Sequence, residues 1–193
     1  MEWLYERTED NSARFALGAV GERPLVCIGL NPSTATPTRL DATLTRVQAV
    51  AAFHGYDSFL MLNVYPLRST DPAGLPVELD SELVEANARQ IRKVLNDCDP
   101  DVWAAWGALI TKRLSLVPTL IELLELPELT NARWFSHGPI SKDGHPHHPL
   151  YVKDADPLMP FDIEPYRDKL RRLLPVERPH TVFHTRRTSP PAS

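Results

Sequence analysis

The stretch Pro24-Leu25-Val26-Cys27-Ile28-Gly29-Leu30-Asn31-Pro32 decides how this chain folds. It is a short continuous apolar run closed by a proline, and a proline turns the residue before it away from the α conformation. The pattern predicts a buried strand over 24–30 that leaves through the turn Gly29-Leu30-Asn31-Pro32-Ser33. Working outward, Phe59-Leu60-Met61-Leu62-Asn63-Val64 repeats the pattern and ends in Tyr65-Pro66. Asp101-Val102-Trp103-Ala104-Ala105-Trp106 repeats it again and is closed by Gly107. Ala132-Arg133-Trp134-Phe135-Ser136 reads as a fourth, less buried strand.

Helical spacing fills the intervals. Leu44, Val47, Val50 and Ala51 share one face of a helix expected over 40–54, with Asp41 or Thr43 as its cap and Gly55 as its stop. Further helices are expected over 80–96, 108–126 and 165–174, with Pro118 kinking or dividing the second of these. Strands alternating with helices predict an α/β fold, a three-layer α/β/α sandwich around a central, mainly parallel four-stranded sheet. One domain is expected over 1–175, followed by a flexible C-terminal tail over 176–193.

The composition narrows the function classes. A chain of 193 residues, 42% hydrophobic and 24% charged, can bury one good core. No apolar run approaches the ~20 residues that span a bilayer, and the first seven residues do not read as a signal peptide, so no membrane partner is expected. Cys27 and Cys98 form no disulfide framework, which points to a reducing cytoplasm. A net charge of -4 and a pI near 6.0 make no global electrostatic case for nucleic acid. The local basic clusters, Arg167 to Arg172 and Arg186-Arg187, read as a solvated helix face and a disordered tail in preference to a phosphate-binding surface.

In α/β folds of this kind ligands sit beyond the carboxyl ends of the strands. Each predicted strand ends there in an unusual turn: Asn31-Pro32-Ser33, Asn63-Val64-Tyr65-Pro66, Trp106-Gly107 and Ser136-His137-Gly138. Asn31 is neutral, so it can fix a water or a ligand carbonyl but cannot be a strong base; it is also an ordinary turn residue. Ser33 adds a hydroxyl, although no glycine-rich phosphate loop is present. Asn63 carries a donor and an acceptor together, as reading a base edge requires, or else caps a loop at the strand end. Tyr65 and Trp106 offer rings for stacking, or belong to the core. Asp41 and Arg46 read either as a cap with its ion-pair partner or as a carboxylate and an anion clamp of a pocket. The run His145-Pro146-His147-His148-Pro149 is too tight and proline-bound for an ordinary zinc pair. A histidine there, or His137, better suits contact with a developing anion or a phosphate.

These motifs resemble the uracil-DNA glycosylase superfamily. Gly29-Leu30-Asn31-Pro32 is similar to the Gly-x-Asp/Asn-Pro motif of its mismatch-specific branch, and Leu62-Asn63, Ala105-Trp106-Gly107 and the His145 to Tyr151 run follow in the family's order. Leu30-Asn31-Pro32-Ser33-Thr34-Ala35, Asp41-x-Thr43-x-x-Arg46, Trp106-Gly107 and His148-Pro149-Leu150-Tyr151 look more closely like the DUF1643 family, a resemblance running from about residue 3 to 172. The superfamily resemblance implies that Asn31 positions water or stabilises a ribosyl cation, that Asn63 reads the base, and that His145 or His148 stabilises the leaving base or holds a phosphate. From the reading of the residues above, Ser33, Asp41, Arg46, Tyr65 and Trp106 are the expected accompanying substrate contacts, and neither metal nor cofactor is expected. The activity it implies is hydrolysis of an N-glycosidic bond to a modified or damaged base, in nucleic acid during DNA repair or in a nucleoside. The alternative is a non-catalytic module that binds a nucleobase or nucleotide. The chain departs from the family where His-Pro-His-His-Pro-Leu replaces His-Pro-Ser-Pro and its hydrophobic wedge.

Overall fold

The central strand of the sheet is the apolar run at 24–29. In the computed structural model, which describes residues 2–96 and 99–175, seven strands form one sheet. They are β1 (Trp3–Arg7), β2 (Arg14–Ala19), β3 (Pro24–Gly29), β4 (Ser58–Asn63), β5 (Asp101–Ala104), β6 (Arg133–His137) and β7 (Leu158–Pro160), in the spatial order β1-β2-β4-β3-β5-β6-β7. The helices are α1 (Ala42–Phe53), α2 (Ser81–Leu95), α3 (Leu116–Leu124), α4 (Pro127–Thr130) and α5 (Ile163–Arg171). Cys98, the Arg186-Arg187 pair and the tail expected over 176–193 lie outside the described residues.

The four expected strands are β3 to β6, and they make up the parallel centre. Gly29 stands opposite Asn63 on one side of β3, and Ile28 opposite Ala104 on the other. The expectation of a four-stranded sheet is nevertheless corrected. Antiparallel β2 and β1 extend the sheet beyond β4, and antiparallel β7 extends it beyond β6. The run Arg-Phe-Ala-Leu-Gly-Ala of β2 starts on a charge and is rich in small residues of poor strand propensity, yet all six of its residues are buried. Gly18 is needed because a Cβ there would meet the Phe59 carbonyl oxygen at 2.2 Å. Pro160 suits β7 only because that strand is an edge.

Alternation along β3 explains its unbroken apolar character. Leu25 and Cys27 join Phe59, Met61 and Trp103 on one face, against Leu44, Val47, Val50 and Ala51 of α1. Val26 and Ile28 join the opposite face, with Ile91 and Leu95 of α2, Leu120 of α3 and Leu170 of α5. Helices therefore cover both faces.

The helix expected over 108–126 divides, but before Pro118. A 3-10 turn covers Ala108–Lys112 and α3 starts at Leu116. Arg113, in the break, donates to the carbonyls of Ala73 and Leu75. Pro118 falls in the first turn of α3, where a missing N–H forfeits no intrahelical bond. Among the described residues no helix is long and apolar enough to cross a membrane.

Candidate functional site

A cavity of about 350 Å³ opens at the carboxyl ends of β3 and β4. The turn Gly29 to Ser33 forms one wall and the first turn of α1, Asp41 to Leu44, another. Ser69 and Thr70 of the loop after β4 face it, as do Leu109 and, from the proline-bound loop, His148, Leu150 and Tyr151. Met61 and Arg14 complete the lining.

Gly29 is a glycine for a local reason. A Cβ there would lie 2.5 Å from the Met61 Cε and 3.3 Å from the Asn63 Oδ1. Its absence lets the thioether rest against the turn and brings the Asn63 amide immediately behind the wall. Asn63 is fully buried, and neither amide atom has a hydrogen-bond partner among the described residues. Its backbone carbonyl accepts from the Asn87 Nδ2 at 2.9 Å. An unpaired buried polar group costs about 1–3 kcal/mol, so the sequence retains this amide against its stability.

Asn31 lines the cavity with its amide held in one orientation. Nδ2 donates to the Ser69 carbonyl at 2.9 Å and to the Pro32 carbonyl at 3.0 Å, which leaves Oδ1 as the acceptor for the cavity. Asp41 both caps α1, accepting from the Leu44 N–H at 2.9 Å, and lines the cavity. His148 accepts from the Leu150 N–H through Nδ1, so the neutral ring carries its proton on Nε2. Burial holds the His148 pKa below the ordinary histidine value, against the opposing charge of Asp41.

Arg14 is the residue that sequence reasoning missed. It is 1% exposed, and both Nε and Nη1 are buried without a partner. Burial first, and then the like charge of Arg68, push its pKa down to about 10, while Asp41 acts the other way. The available signal was an arginine set directly before Phe15-Ala16-Leu17, in a run otherwise suited to a core.

Four expected site residues lie elsewhere. Arg46 pairs with Asp154 rather than with Asp41, because it leaves α1 toward the 154–156 loop. Tyr65 is core, its hydroxyl accepting from the Asp80 N–H at the start of α2. Trp106 is fully buried on the face away from α1, and its Nε1–H donates to the Tyr166 hydroxyl at 2.8 Å. His145 joins that network through a 2.9 Å hydrogen bond between Nδ1 and the Tyr166 hydroxyl. His137 is also buried, with Nε2 2.7 Å from the Asp156 carbonyl oxygen and its ring against Trp103. The proline-rich loop thus sends His145 and His148 to different places. Among the described residues no cluster of three or more His, Cys, Asp or Glu side chains is placed to hold a metal ion.

The fold and cavity define a mixed α/β protein with a ligand-sized site where the parallel strands end. The chain belongs to the family described as "Protein of unknown function (DUF1643)", which matches residues 14–150. No curated protein and no solved structure matches the chain.

Proposed function

We propose that this cavity binds a small molecule bearing a nucleobase, a nucleoside or nucleotide. The observation that carries the reading is the convergence of Asn31, Ser33, Asp41 and His148 on one cavity whose remaining wall includes the apolar Met61, Leu109 and Leu150. Ligand sites combine apolar faces with a few placed polar groups in this way, and about 350 Å³ falls at the small end of their usual range. The unpaired Asn63 amide behind Gly29 supports a base edge as the partner, because a ligand supplying one acceptor and one donor would satisfy it once the Met61 side chain moves aside. Tyr151, 79% exposed at the rim, is free to cover a bound ring. A thermal-shift screen of bases, nucleosides and nucleotides tests this. Stabilisation is expected from at least one, and it should be lost in Asn63→Ala and His148→Ala. A shift that survives both substitutions would exclude this cavity.

The orientation of Asn31 favours a second reading, hydrolysis of an N-glycosidic bond in the same place. Its Oδ1 and the Asp41 carboxylate would hold a water. As the bond to the base breaks, positive charge develops on the sugar near Asp41 and negative charge on the base. The water oxygen then bonds the anomeric carbon as the carbon–nitrogen bond breaks, and its proton passes to Asp41; the base departs as an anion held by a hydrogen bond from the His148 Nε2–H and is protonated from solvent. A release assay over uracil-, xanthine- and alkyl-base duplexes, single strands and nucleosides decides it. Release from none of these sinks the enzyme reading, and release untouched by Asn31→Ala with His148→Ala sinks its residue assignment.

A further inference from the structure

We infer that the ligand of this cavity carries a compact oxyanion, a phosphate ester or a carboxylate, seated on the Arg14 guanidinium. The inference rests on the ligand-binding reading above and adds to it the charge of the ligand.

The argument begins with what Arg14 lacks. A guanidinium taken out of water is normally matched by a carboxylate or a ligand, because desolvating its charge is costly. Arg14 is 1% exposed, borders the cavity, and leaves Nε and Nη1 without partners among the described residues. Asp41 is the nearby carboxylate, but it forms no ion pair with Arg14, and its Oδ1 is committed to the Leu44 N–H. A second cation deepens the imbalance. Among the described residues Arg68 bonds only neutral acceptors, the carbonyls of Ser33 and Ala35, the Tyr5 hydroxyl and the Asn11 Oδ1. Its charge is therefore not cancelled by a carboxylate either.

Hydroxyl groups occupy the ground between the two arginines. A neighbouring recess of about 300 Å³, lined by Arg68, shares Ser33, Ser69 and Thr70 with the main cavity, which is lined by Arg14. The Ser69 hydroxyl donates to the Asp71 carbonyl, which leaves those of Ser33 and Thr70. A fork of N–H donors beside hydroxyl donors, with an excess of positive charge, is the arrangement that recognises phosphate or carboxylate oxygens. A neutral nucleoside would leave that charge buried and unpaired.

Isothermal titration at low ionic strength tests this with inorganic phosphate, acetate, the nucleoside 5′-monophosphates and their parent nucleosides. The proteins are the full chain, Arg14→Gln, Arg14→Lys, and Arg89→Gln as a charge control on an exposed pair with Glu85. Circular dichroism checks that each is folded. Phosphate- or carboxylate-bearing probes should bind the parent chain. Arg14→Gln should weaken them about 30-fold, as expected for losing charge-assisted hydrogen bonds, and Arg14→Lys by less, while Arg89→Gln stays within about twofold. Nucleosides binding as tightly as their monophosphates, with no effect of Arg14→Gln, overturn the inference and leave the nucleobase reading standing. Phosphate or acetate binding through Arg14 with no gain from an attached nucleoside upholds the inference and overturns the nucleobase reading. No binding of any probe at millimolar concentration overturns both.

Discussion

Replacing Arg14 with methionine should make the protein more stable while disabling its cavity. The side chain is buried, leaves Nε and Nη1 without partners among the described residues, and holds its proton with a pKa pushed down to about 10 by burial and by Arg68. Relative to an ordinary arginine that is a loss of more than a hundredfold in proton affinity. At about 1.4 kcal/mol per tenfold, the charged form costs on the order of 3 kcal/mol in the fold. The folded pKa lies below the unfolded one, so this cost is fully present at all pH values below about 10 and is relieved only as the pH rises through and beyond it. Methionine keeps an unbranched stem of similar length and removes the charge. It also forfeits the attraction to Asp41 and part of the packing, leaving a net gain of about 1–2 kcal/mol. For a chain of this size, each kcal/mol moves Tm by about 2–4 °C, so scanning calorimetry at pH 7 should show a rise of about 3–6 °C. A fall of more than about 3 °C would refute the reasoning, because it would mean that the guanidinium is a satisfied structural cation. Alanine is a poor substitute here, since the cavity it leaves lowers Tm for an unrelated reason.

Asp41→Ala removes the cap on α1 and should cost about 1 kcal/mol in a denaturation series. Asp41→Asn keeps an accepting oxygen and should unfold close to the parent while abolishing base release if the hydrolytic reading holds; full activity in Asp41→Asn would refute a base at this position. Trp106→Phe should lose the hydrogen bond to Tyr166 and some core volume, lowering stability by about 1–3 kcal/mol with ligand affinity unchanged within about twofold. Weaker binding without a change in Tm would instead return the ring to the site. His137, His145 and His148 are each held below the ordinary histidine pKa chiefly by burial. The unfolded chain therefore takes up protons first, and stability present at neutral pH should be lost as the pH falls through and below about 6.5. A Tm that stays flat from pH 7.5 to pH 5.5 would contradict that sign.

What the sequence by itself determined was local and periodic. Four apolar runs bounded by prolines and glycines identified β3 to β6, and the Asp41 cap with Leu44, Val47 and Val50 identified α1. The run ending in Asn31-Pro32-Ser33 also located the cavity, because parallel strands must deliver their carboxyl ends to one edge. Of the residues proposed for it, Asn31, Ser33, Asp41 and His148 do line it.

The rest was decided by long-range register, which carries no local mark. Asn63 stands opposite Gly29 and shares the α1 face with Met61, whereas Trp106, also at a strand end, belongs to the opposite face with Tyr166. Side chains alternate along a strand, but which face has a gap at its end depends on what packs there. His145 and His148 are three residues apart in a loop without a period, so no spacing rule could assign one to Tyr166 and the other to the cavity. Arg14 is the clearest case. Its sequence neighbours mark it as interior, but only the pairing of β2 with β4 puts an uncancelled charge beside Asn31, and that charge gives the cavity its chemistry.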